Sequence, residues 1–122
     1  TSTIIFMAVF FPVAMMGGTS GAFYAERILM LGGVPSNKFS EYLKIAKVRE
    51  IDGVSCGGEA LGHVLDTYKY LIGRERELLA QASEAGDEVT VSMMTDYLQE
   101  QEKTVWMLCA FSAHKHGDSC AR

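Results

Sequence analysis

An all-α fold is predicted by three observations. Apolar residues recur at intervals of three and four along two long stretches, 59–85 and 88–112. Gly86 and Asp87 part those stretches in the manner of a helix stop followed by a helix start. A second stop, Gly32–Gly33 followed by Pro35, closes an earlier helical segment. With 122 residues, 48% of them hydrophobic, the chain has room for one domain around one core.

Residues 1–25 carry no charged side chain, and the stretch 4–16 within them is apolar on every face, with Pro12 set to break or kink a helix. A bilayer-spanning helix needs about 20 such residues, so no membrane span is expected. The length suits a secretory signal core, but no basic segment precedes it. Cleavage near 17–21 would also remove most of what lies ahead of the helical stretches. A native segment, a targeting segment and a fragment or shifted reading frame all remain open for residues 1–21.

From 22 to 31, Phe23, Ile28 and Leu31 allow a helix. Ser40 is the expected N-cap of a short helix, 41–48, burying Tyr42, Leu43, Ile45 and Phe39. Residues 49–57 are expected to form a loop. Next comes a long helix whose stripe holds Leu61, Val64, Leu65, Tyr68, Leu71, Ile72, Leu78, Leu79 and Ala82, interrupted once at Glu75. After Gly86, Asp87 can cap a final helix that lines up Val91, Met94, Leu98, Val105, Leu108 and Phe111. Two long antiparallel helices joined by a tight turn make half of a bundle. The domain therefore runs over 22–112, and the tail, 113–122, is expected to be mobile.

Eleven basic residues against 15 acidic ones give a net charge of −4, a field that attracts cations and repels nucleic acid. The tail offers Lys115 and Arg122 against Asp118, so any binding of DNA is expected to be weak. Cys56, Cys109 and Cys120 have no metal-ligand spacing and are expected as free thiols. Glu59 and His63, one turn apart, are expected as a solvated pair. Trp106, Met107, Met93 and Met94 are expected to pack in the core or at an interface.

The runs AERILMLGGVPSNKFSEYLKIAKV at 25–48 and RERELLAQASEAGDEVTVSMMTDYLQEQEKTVWMLCAF at 74–111 resemble the Dps family. The resemblance implies a ferritin-like four-helix bundle, here with its first helix missing or altered. It further implies a cytoplasmic homo-oligomer, a dodecameric cage that stores iron, oxidises ferrous iron with peroxide and protects DNA under stress. The family's iron site lies between two subunits and draws two histidines and an acid from early helices, plus an Asp-x-x-x-Glu pair. Of that set only the Glu carries over, as the metal ligand Glu26; Ala22 stands where the family has Asp. None of His63, His114 and His116 falls in the ligand region, so no catalytic residue is assigned and iron oxidation is expected to be absent or very slow. The resemblance also implies a cation-entry pore at Asp87 and Glu88, for which helix capping is an equal alternative. A non-catalytic shell subunit of a ferritin-like cage is the second functional reading. An exported or membrane-tethered variant using residues 4–16 is the third.

Overall fold

The computed structural model describes residues 20–48 and 50–114, and every regular element among them is helical. The expectations for residues 4–16, for the bundle's first helix and for most of the tail lie outside the described residues. Helix α1 is Ser20–Met30, α2 is Phe39–Ile45, α3 is Gly57–Glu84 and α4 is Glu88–His114. Helices α3 and α4 form the antiparallel hairpin that their apolar spacing predicts, and α1 crosses onto it.

Both long-range stops are glycines in the left-handed region, Gly32 at φ 78° and Gly86 at φ 70°. Each forms the same pair of closing bonds. Gly32 N–H donates to Leu29 O at 2.9 Å and Gly33 N–H to Ile28 O at 2.8 Å. Likewise Gly86 N–H donates to Ser83 O at 3.1 Å and Asp87 N–H to Ala82 O at 2.9 Å. This is the Schellman arrangement, which satisfies the last carbonyls of a helix and reverses the chain.

The core is small. Tyr24 and Ile28 of α1 pack with Leu71 and Leu78 of α3 and Met94 of α4, with Tyr70, Leu79, Met93 and Tyr97 against them. The Tyr24 and Tyr97 rings lie with centroids 4.8 Å apart, which fixes α1 on α4.

Four expectations are corrected. Helix α2 begins at Phe39 rather than 41, its N-cap is Lys38 with no side-chain cap bond, and the chain is extended again from Ala46. Ser40 therefore lies inside the helix instead of capping it. Helix α2 also buries none of its residues, leaving Phe39 77% and Leu43 63% exposed, because nothing among the described residues covers that side. Cys56, expected as a free thiol, is disulfide-bonded, whereas Cys109 is free and exposed. Cys56 is the N-cap of α3, and pairing of sulfurs depends on their approach in space, which linear spacing does not reveal. Finally, α4 continues through His114, so the first part of the expected tail is helical.

Candidate functional site

The residues that bear on function fall at three places: α1 with the α3–α4 turn, the start of α3, and the middle of the hairpin. Glu26 lies on the exposed side of α1. Arg27, the next residue, turns inward to the α3–α4 turn. Its Nη2 meets Asp87 Oδ1 at 2.5 Å and its Nε donates to Thr90 Oγ1 at 3.0 Å. Asp87 also accepts from the Thr90 backbone N–H at 3.1 Å, the bond of an N-cap, and from the Thr90 hydroxyl at 2.5 Å. Partial burial pushes the Asp87 carboxyl up, but the bonds from Thr90 and Arg27 outweigh it and hold the group below the usual carboxylate range. Asp87 is thus capping α4 and pinning α1 at once. Glu88, beside it, is exposed in the first turn of α4.

Glu59 and His63 face each other near the start of α3 at 3.9 Å, Glu59 exposed and His63 partly so, a solvated pair as expected. Among the described residues no group of three or more His, Cys, Asp or Glu side chains converges to hold a metal ion. Glu26 accordingly belongs to no such group among the described residues. Nor, among them, is any helix long and apolar enough to cross a membrane.

The third place is the middle of the hairpin. Glu75 is 0% exposed, and Gln101 Nε2 donates to its Oε1 at 2.7 Å across the α3–α4 interface. Burial drives the Glu75 carboxyl up to about 7, against the smaller lowering effect of the Gln101 bond. The nearby Tyr24 hydroxyl is pushed far above the ordinary phenol range by its burial, then by Glu75 and Tyr97. In the sequence Glu75 reads as an interruption of an apolar stripe. Its spacing of four from Leu71 and three from Leu78 was the signal that it sits in the stripe itself.

This arrangement of helices defines a ferritin-like bundle protein. Residues 22–114 match the ferritin-like domain family. The DNA protection during starvation protein of Porphyromonas gingivalis is 51% identical over 88 residues, covering 72% of this chain and 55% of that protein. Its counterpart in Helicobacter pylori is 37% identical over 90 residues, covering 73% of this chain and 62% of that protein. The crystal structure of the Dps protein of Vibrio cholerae, described as a member of a broad superfamily of ferritin-like diiron-carboxylate proteins, superposes with a TM-score of 0.76 at 29% identity. That superposition covers 89% of this chain and 86% of the Vibrio chain. The chain belongs to the Dps family of ferritin-like proteins. It spans little more than half the length of the curated relatives it matches, 55% and 62% for the two named here.

Proposed function

We propose that this chain acts as a cytoplasmic cage subunit that gathers ferrous iron and takes part in DNA protection, and that its own ligand set does not complete a ferroxidase centre. The observation that carries this reading is the placement of Glu26. The clamp of Arg27 onto Asp87 and Thr90 orients α1 so that the neighbouring Glu26 faces outward, where an iron site shared between two subunits needs its carboxylate. One turn earlier Ala22 brings no ligand, and one carboxylate holds ferrous iron poorly against water. Of the two acids at the proposed pore, Glu88 supplies the field that draws cations in, because the charge of Asp87 is met by Arg27.

Anaerobic loading with ferrous iron followed by peroxide, with ferric absorbance as the readout, tests the reading. The chain should bind iron weakly and oxidise it slowly or not at all, and Glu26→Ala should weaken that binding further. Rapid oxidation by the unmodified chain, lost in Glu26→Ala, would overturn it and require ligands beyond those named.

A non-catalytic shell subunit is the second reading, favoured by the bare apolar side of α2, with Phe39 and Leu43 open to solvent. On this reading the face is covered by another subunit in a homo-oligomer. Sedimentation of the full chain distinguishes the readings from a stable monomer, which would count against both.

A further inference from the structure

Glu75 and Gln101 leave a matched pair of loose ends at the centre of the hairpin. Gln101 donates one amide hydrogen to Glu75 Oε1 at 2.7 Å. The other oxygen of each side chain, Glu75 Oε2 and Gln101 Oε1, is buried with no hydrogen-bond partner among the described residues. Two orphaned acceptors cannot satisfy one another, and each costs free energy in a dry core. A single added hydrogen resolves both. A carboxylic acid and a primary amide pair reciprocally through two bonds, N–H to carboxyl oxygen and O–H to amide oxygen, using all four of the groups present here.

We infer that Glu75 and Gln101 form a proton-operated clasp between α3 and α4. With the proton on Glu75 Oε2 and donated to Gln101 Oε1, two parallel hydrogen bonds join the long helices at mid-length. Without it, one bond remains and an anionic oxygen is left buried. The surroundings favour the protonated form. Tyr24 faces Glu75 from α1, and Tyr24 and Tyr97 belong to the same core; both are phenols that bring no positive charge. On α3 itself the two flanking cations are engaged elsewhere: Arg74 directs its Nη1 to Glu77 at 2.5 Å, and Arg76 reaches across to Glu102 at 2.5 Å on the exposed side. The Glu75 carboxyl accordingly sits near 7, inside the range over which cellular pH moves.

The sign of the effect follows from the direction of that shift. A carboxyl held at about 7 in the folded chain and at its ordinary 4.5 in the unfolded one gives stability that is complete below 4.5 and is lost as pH rises through 7. Over that window the unfolding constant should rise by roughly two orders of magnitude from this group.

The test compares urea unfolding of the full chain with Glu75→Gln from pH 5 to pH 8.5. A glutamine at this position makes the same two-bond pair with Gln101 and has no proton to lose. The two chains should lie closest at pH 5, diverge as pH rises toward 7 and run parallel well above it, with only the unmodified chain weakening. Whatever else in the chain responds to pH is common to both and cancels in the difference. Curves parallel across the whole range would overturn the clasp. Independently of that variant, carbon NMR of the labelled Glu75 carboxyl should show a midpoint near 7, and the Gln101 side-chain amide signals should shift with the same midpoint. A Glu75 midpoint in the ordinary carboxylate range, or Gln101 signals indifferent to it, would also overturn the clasp.

Discussion

The α3–α4 hairpin and the α1–α2 segment are built from similar sequence material and end in different environments. Each has an apolar periodicity and a glycine stop with the same pair of closing bonds. In the hairpin that pattern produces buried residues: Leu71, Leu78, Ala82, Met94 and Leu98 are all inside. Among the residues of α1–α2 whose burial is described, only Tyr24 and Ile28 are, while Leu29, Leu31, Phe39 and Leu43 remain exposed. The same periodicity thus serves two ends. A helix face that closes on the hairpin stabilises the subunit, whereas the apolar side of α1–α2 has nothing among the described residues against it, and only placement in three dimensions separates the two.

The sharpest way to break this comparison is to cut into both regions with the same substitution. Leu71→Ala should lower the stability of the subunit by about 2–5 kcal/mol, because it opens a cavity in a packed core. Leu43→Ala should change subunit stability by no more than about 0.5 kcal/mol, since its side chain already meets solvent. Its effect should fall on association instead. Urea midpoints and sedimentation measure the two quantities. Equal destabilisation by both variants would show that α2 is supported within its own chain after all.

The junction between the regions comes next in size. Asp87→Ala removes the α4 cap and the Arg27 ion pair together, and a lost cap alone costs about 1 kcal/mol. Arg27→Ala spares the cap and should cost less, while loosening α1 from the turn. Because the folded-state Asp87 carboxyl lies below its ordinary value, its contribution is complete at neutral pH and is lost as pH falls through the lowered value. Acid should therefore weaken this junction in the unmodified chain and leave Asp87→Ala without that response. At Glu75 the dependence runs the opposite way, so the two carboxyls can be distinguished by the direction of their pH response alone.

The hairpin was readable in the sequence because helical period, glycine stop and acidic cap agree with one another over more than fifty residues, from 57 to 114. The same reasoning located α1 and its stop. It failed where a residue's role is set by a partner distant in sequence. Glu75 looked like a break in the stripe because burial of an acid depends on Gln101, 26 residues away. Asp87 reads equally as a cap and as a pore residue because Arg27, which takes up its charge, lies 60 residues earlier. Helix α2 was expected to bury its apolar side because periodicity gives the direction of a face and not what covers it. Glu26 stands out by its motif alone, but its exposed position depends on which way Arg27 turns.

The finest test uses the element the two regions share. Gly32 and Gly86 both hold positive φ, and no atom within 4 Å would oppose a Cβ at either site, so alanine meets backbone strain and no clash. That strain should be similar in both, about 1 kcal/mol or somewhat more. What differs is what each stop is coupled to. Gly86 joins the two helices that supply most of the core, so Gly86→Ala should appear in full as a lower urea midpoint for the whole subunit. Gly32 joins α1 to a helix that buries nothing, so Gly32→Ala can be relieved by local rearrangement beyond Met30. Its cost should appear as faster amide exchange at Gly32 and Gly33, whose N–H groups close the stop, with little movement of the midpoint. A midpoint shift as large as that of Gly86→Ala would mean that α2 and the link before it unfold together with the hairpin, and that the two regions are one cooperative unit in spite of their different burial.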